Sequence, residues 1–152
     1  MIEPPDPPAI IGRASVIDGD TIEIRGQRIR LWGVDAPEGR QTCTRAGATY
    51  RCGQEAANAL DALLRHGSAV CRPAGRPDRY GRVVARCTIQ VRSPMRSATF
   101  RDLGEMMVES GQAVDYPTYS RGAYAFQQAS AEAERRGLWA GEFQKPWEWR
   151  AR

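Results

Sequence analysis

The stretch "TIEIRGQRIRL", residues 21–31, limits what this chain can fold into more than any other segment. Ile22 and Ile24 alternate with polar residues before Arg25-Gly26-Gln27, and Ile29 and Leu31 alternate after it. A period of two on both sides of a glycine that tolerates positive φ predicts a β-hairpin with one buried face. "AIIGRASVID" upstream has the same character, so the first three strands form a meander. A polar loop, "GRQTCTRAGATYRC", follows. "GQEAANALDALLRHG" then places Ala56, Leu60, Leu63 and Leu64 at helical spacing before Gly67. "SAVCRPA" and "RVVARCTIQV" predict two further strands around the turn-rich "GRPDRYG". "TFRDLGEMMVESG" predicts a helix capped by Thr99, with Leu103, Met106 and Met107 inward, and "SRGAYAFQQASAEAERRG" a last helix from about Ser120 to Gly137. Three tryptophans in "LWAGEFQKPWEWRAR" predict that the tail docks on the body. The order β-β-β-α-β-β-α-α suggests an α+β fold: a small five-stranded barrel of the oligonucleotide-binding type carrying helices.

At 152 residues the chain suits one domain that buries roughly 70% of its unfolded surface. Residues 1–9, with four prolines, are expected to form a disordered tail, and residues 10–152 a single domain. No run approaches the ~18 apolar residues of a membrane helix. The net charge of +4 rests almost wholly on arginine, Lys145 being the only lysine among 22 basic residues. That balance permits a polyanionic partner without demanding one, since arginine on a solvated surface gives the same count. The leader "IEPPDPP" lacks the apolar core of a signal peptide, so an exported form would be the mature one.

Cys43, Cys52, Cys71 and Cys87 show no C-x-x-C spacing, and His66 is the only histidine, which removes the usual zinc patterns. Four cysteines then favour two disulfides and an oxidising compartment, buried free thiols being the alternative. Cys71 and Cys87 lie on consecutive strands joined by a turn, and Cys43 and Cys52 bracket the polar loop. The expected pairs are therefore Cys71–Cys87 and Cys43–Cys52, each contributing roughly 3 kcal/mol in the chain-entropy model.

Four carboxylates stand near the meander: Asp18 and Asp20 in "IDGDT", Asp35 and Glu38 in "IRLWGVDAPE". The ends of the first and third strands share one sheet edge, so Asp20 and Asp35 are able to converge. Two carboxylates brought together repel and raise one pKa unless a cation joins them. Oxygen donors completed by water and a backbone carbonyl point to Ca²⁺. Arg30 and Arg82 offer planar forks for a phosphodiester, and Glu38 is a base able to take a proton from water. The competing reading makes Arg30–Asp35 and Arg82–Asp78 structural ion pairs. One difficulty is geometric: five positions separate Arg30 from Asp35, so strict alternation sends them to opposite faces. A bulge or turn near Gly33 would redirect one of them.

"VIDGDTIEI", "IRLWGVDAPE", "CGQEAANAL" and "DRYGR" occur in the order and spacing of the staphylococcal nuclease (thermonuclease) family, and the chain resembles it from about Gly12 to Trp139. The resemblance implies a five-stranded OB-type barrel with three helices and Ca²⁺-dependent hydrolysis of DNA and RNA to 3′-phosphate products. It implies Asp20 and Asp35 as calcium carboxylates, the Ala36 backbone carbonyl as a further ligand, Glu38 as general base, and Arg30 and Arg82 as phosphate-binding residues. Tyr116 and Tyr119 in "VDYPTYSRG" are the candidates for stacking a nucleotide. The cysteines and "PWEWR" resemble a secreted subgroup, some of which carry the name succinoglycan biosynthesis protein. The expectation is a periplasmic or secreted monomeric nuclease that acts on DNA and RNA, with no membrane and no obligate protein as partner. A binding module without chemistry, or an accessory protein of exopolysaccharide production, is the alternative.

Overall fold

The computed structural model describes residues 2–93 and 96–152, without the side chains of residues 93–97. Residues 2–9 carry neither helix nor strand. Strands β1 (Ile10–Gly12), β2 (Ser15–Asp18), β3 (Thr21–Ile24), β4 (Gln27–Leu31) and β5 (Val34–Asp35) come first, then a small hairpin, β6 (Cys43–Arg45) and β7 (Ala48–Tyr50). Helix α1 (Cys52–Leu64) leads to β8 (Ala69–Pro73), β9 (Val83–Ser93) and β10 (Arg96–Asp102). The rest is helix α2 (Leu103–Glu109), strand β11 (Val114–Asp115), helices α3 (Pro117–Ser120) and α4 (Ala125–Ala133), a 3₁₀ turn at Gly137–Ala140, and helix α5 (Pro146–Ala151).

The main sheet runs β1-β8-β9-β4-β3-β2, with β10 paired to β9. Its two ends, β1 and β2, are separated by only two residues of chain, so the sheet curls back on itself as a half-barrel. The expected first strand is thus one extended stretch whose halves pair with β8 and β3. Ile22, Ile24, Ile29 and Leu31 all point inward and are buried, as the alternation requires. Each such side chain contributes roughly 1.5–3 kcal/mol through removal from water. Ala56, Leu60 and Leu64 of α1, and Leu103, Met106 and Met107 of α2, seal the same core.

Two helix boundaries differ from expectation. Thr99 does not cap α2: residues 99–102 pair with Thr88–Val91 in the β9–β10 ladder, and the Asp102 side chain caps instead, accepting from the Glu105 N–H. The helix expected from Ser120 to Gly137 is shorter at both ends: Arg121 at φ 54° and Gly122 at φ 86° close the short α3 (Pro117–Ser120), and α4 runs only from Ala125 to Ala133, before Arg135 at φ 52°. The tail docks as expected: Leu138 is buried and Trp139, Phe143 and Trp147 pack with Cys43, Cys52 and Val114.

The cysteines pair as Cys43–Cys52 and Cys71–Cys87. Cys71 faces Cys87 directly across β8 and β9, and both are buried. Cys43–Cys52 ties the β6–β7 hairpin to the start of α1. Among the described residues no helix is long and apolar enough to cross a membrane.

Candidate active site

The acidic cluster forms because the chain turns sharply between β4 and β5. Gly33 at φ 76° sits in that turn, a conformation costly for any residue with a Cβ, and it resets the alternation so that Arg30 and Asp35 meet. Arg30 Nη1 lies 3.5 Å from Asp20 Oδ2, and Nη2 lies 3.4 Å from Asp35 Oδ1. Nη1 also donates to the carbonyls of Leu31 and Val34, at 2.9 and 2.8 Å, which holds the turn in shape. Asp20 Oδ2 accepts the Ala36 backbone N–H at 2.9 Å, so the ends of β2–β3 and β5 share this edge. Strand β11 pairs with β5, and the Tyr116 N–H donates to the Gly33 carbonyl, which brings Tyr116 to the same region.

Arg82 approaches from the other side. Its Nη1 donates to Thr21 Oγ1 at 3.1 Å, and that hydroxyl donates to Asp20 Oδ1 at 3.2 Å. Its Nε donates to Asp78 Oδ2 at 2.6 Å. Both ion pairs of the competing reading are therefore formed, Arg30–Asp35 and Arg82–Asp78. They do not remove these arginines from the cluster, since each guanidinium also leads to Asp20.

Glu38 follows Pro37 in the loop after β5, and its side chain is partly open to solvent where Asp35 is fully buried. Gly53 packs so closely on it that a Cβ there would overlap the Glu38 carbonyl, which fixes the loop against α1. Tyr116 is stacked on one face by Trp147, with centroids 4.8 Å apart and planes 17° apart, while Tyr119 packs edge-on to it and is 62% exposed. Of the two tyrosines, Tyr119 is the one left open to solvent.

Sequence reasoning missed two residues. Gln41, fully buried, accepts the Glu38 N–H through Oε1 and donates to the Gln144 carbonyl through Nε2. Arg150, on α5, donates to both oxygens of Asp35 and to Glu38. Only the predicted docking of the tail hinted at either.

Burial governs the titration of the cluster. It pushes Asp18 up to about 7, helped by the negative charge of Asp20. Burial also acts upward on Asp20, but the Arg30 charge and hydrogen bonds from Asp18, Ala36 and Thr21 outweigh it and hold that carboxyl below the usual range. Asp35 is raised to about 6, chiefly by burial, against the opposing hydrogen bonds of Arg150. A carboxyl raised in the fold keeps its stabilising proton below its unfolded pKa and loses that stability as pH rises through about 4 to 7. In chelator, the wild type should therefore melt at progressively lower temperature from pH 4 to pH 8. Asp18→Asn keeps the oxygen that accepts the Asp20 N–H but carries no charge, so it should melt about 5 °C above wild type at pH 8 and level with it at pH 4. Identical pH slopes for the two proteins in a thermal melt would dismiss the charge on Asp18 as the cause.

The residues fit a hard cation. Asp20 and Asp35 offer oxygen only, and His66, just past α1, is not among them. Among the described residues no three Asp, Glu, His or Cys side chains form a ready-made cage. A pair of carboxylates with no nitrogen or sulfur donor beside it suits a hard, oxygen-seeking cation rather than zinc.

A family model described as "Staphylococcal nuclease homologue" matches residues 28–141. Among curated proteins, the succinoglycan biosynthesis protein ExoI of Rhizobium meliloti (strain 1021) is 47% identical over 135 residues, 88% of this chain and 66% of that protein. An uncharacterized endonuclease of Escherichia coli is 32% identical over 90% of this chain and 82% of its own length. The probable staphylococcal-like nuclease CAN3 of Oryza sativa subsp. japonica is 33% identical over 86% of this chain, which spans only 30% of that protein. The curled sheet, the helices packed on it and the matched segment agree, and the chain belongs to the staphylococcal nuclease family.

Proposed function

We propose that this chain is a Ca²⁺-dependent nuclease that hydrolyses phosphodiester bonds of DNA and RNA to 3′-phosphate products. The observation that carries the reading is the meeting of Asp20, Asp35 and Glu38 with the Arg30 and Arg82 guanidinium groups at one end of the meander. Asp20, Asp35 and the Ala36 carbonyl would hold the cation, which would supply positive charge to polarise the phosphoryl oxygens. Glu38 takes a proton from a water molecule that attacks phosphorus, the bond from phosphorus to O5′ breaks, and O5′ takes up a proton from solvent, leaving a 3′-phosphate and a 5′-hydroxyl. Arg30 and Arg82 meet the negative charge that grows on the equatorial oxygens. Tyr119, and Tyr116 beside it, offer ring surface to a base.

Two disulfides suit an oxidising compartment, the periplasm or the cell exterior, and the site assembles within one chain, which suits a monomer with no obligate protein partner. The likeness to ExoI favours a second reading, an accessory role in exopolysaccharide production without hydrolysis. Nicking of single-stranded DNA decides between them. The expected result is cleavage with Ca²⁺, 3′-phosphate ends, loss of activity in excess chelator and return on adding Ca²⁺. Cleavage that persists in chelator removes the cation from the mechanism, and absence of cleavage with any divalent cation leaves the accessory or binding role.

A further inference from the structure

Asp35 and Arg150 are 115 positions apart in sequence, yet Arg150 makes the strongest contact Asp35 has. Nη1 donates to Oδ1 at 2.9 Å and Nη2 to Oδ2 at 2.8 Å, a two-pronged pairing that engages both carboxylate oxygens. The same Nη1 lies 2.6 Å from Glu38 Oε1. Arg30 does not duplicate this contact, because it touches Asp35 only at 3.4 Å and its Nη1 is committed to two backbone carbonyls. A fully buried carboxylate left without a counter-charge is strongly destabilising, and Arg150 supplies that charge.

The segment that carries Arg150 is fastened independently of it. Thr44 and Glu142 exchange two backbone hydrogen bonds at 2.9 Å, Gln41 Nε2 holds the Gln144 carbonyl at 2.9 Å, and Trp147 stacks on Tyr116. Pro146, buried in the first turn of α5, fixes where the helix starts. The helix is therefore presented to the carboxylates by attachments that survive if the guanidinium lets go.

We propose that Arg150 is the resident counter-ion of the cation site. It holds Asp35 and Glu38 in the cation-free chain and surrenders them when a divalent cation enters. This rests on the cation reading of Asp20 and Asp35 given above. Both Asp35 oxygens already accept from Arg150, and Oδ1 from Arg30 as well, so a cation that takes lone pairs there competes with the guanidinium for them, and its affinity is lowered by the contacts it displaces. Glu38 is locked against Arg150 until that exchange occurs, which keeps the base out of use in a chain without its cation.

Titration calorimetry of the full chain with Ca²⁺ alone, after stripping with chelator, tests the exchange. Loss of a charge-assisted pair predicts that Arg150→Ala binds Ca²⁺ about tenfold or more tightly than wild type. Arg150→Lys keeps the positive charge but not the fork, and it too should bind more tightly than wild type. Arg152→Ala removes a neighbouring charge that stacks on Trp149, and it should leave the affinity unchanged. Melting curves confirm that each variant is folded. Equal or weaker binding by Arg150→Ala, with the wild type binding Ca²⁺, overturns the exchange and leaves the cation reading standing. Tightening in Arg150→Ala but not in Arg150→Lys assigns the effect to net charge and also overturns it. Failure of wild type and variants alike to bind Ca²⁺ defeats the cation reading and the exchange with it.

Discussion

Arg82→Lys should lower the rate of phosphodiester hydrolysis by about 10²–10³-fold while the melting temperature stays close to that of wild type. Arg82 is aimed rather than merely present. Asp78 Oδ1 accepts the backbone N–H groups of Tyr80 and Arg82, both at 2.9 Å, and Oδ2 then takes the Arg82 Nε at 2.6 Å. Nη1 reaches Thr21, and among the described residues no acceptor takes Nη2, so that edge is open to a further acceptor, which the proposed function makes a phosphate oxygen. An ammonium cannot grip Asp78, Thr21 and a phosphate in one plane, so charge is kept and geometry lost. Stability should hardly change because the Arg82–Asp78 pair is partly solvated, and pairs of that kind contribute little. Arg30 makes a poorer test. Its Nη1 also holds the Leu31 and Val34 carbonyls, so its loss would disturb the turn that creates the site. Turnover on single-stranded DNA beside a thermal melt checks the expectation, and a Lys variant of normal rate would give Arg82 a structural role only.

The parts legible in the sequence are those set by short-range periodicity. Ile22, Ile24, Ile29 and Leu31 fall on one face because a strand alternates, and Ala56, Leu60 and Leu64 on another because a helix returns every turn. Facing of Cys71 and Cys87 follows from the turn between their strands. The bend between β1 and β2 was not legible for a physical reason. Burial alternates without a slip from Ile10 to Asp18, so nothing in the side-chain pattern marks the change of pairing partner. The start of α2 moved from Thr99 to Asp102 because residues 99–102 pair with β9, a long-range contact that the local cap pattern does not carry. The break at Arg121-Gly122 was visible as a glycine, but glycine in a helical pattern signals a break only when the neighbouring packing exploits it.

The site divides in the same way. Asp20, Asp35, Glu38 and Arg30 lie within 19 positions of one another, so a meander and one turn at Gly33 bring them together. Arg82 needed only the parallel pairing of β9 with β4, whose register sets Val83 beside Ile29. Arg150 lay beyond reach, because partner choice across 115 positions depends on where the tail docks. The tryptophans of that tail say that it must dock, and no local pattern says against what.

Glu38→Gln should reduce turnover by about 10²–10⁴-fold and leave Ca²⁺ affinity near that of wild type. The glutamate is suited to proton transfer by its surroundings. Its side chain is 31% exposed and meets water, whereas Asp35 beside it is fully buried and bound at both oxygens. Its backbone is held on both sides: the N–H donates to Gln41 Oε1 at 3.2 Å, and the carbonyl accepts the Gln41 N–H at 2.8 Å. A glutamine there keeps length, planarity and an oxygen able to accept from Arg150, so the loop and α5 should stay in place and the melting temperature with them. What glutamine lacks is the basicity to take a proton from the attacking water. Loss of turnover alone therefore identifies Glu38 as the base. Turnover and Ca²⁺ affinity falling together would make it a ligand of the cation, with the water activated by some other group.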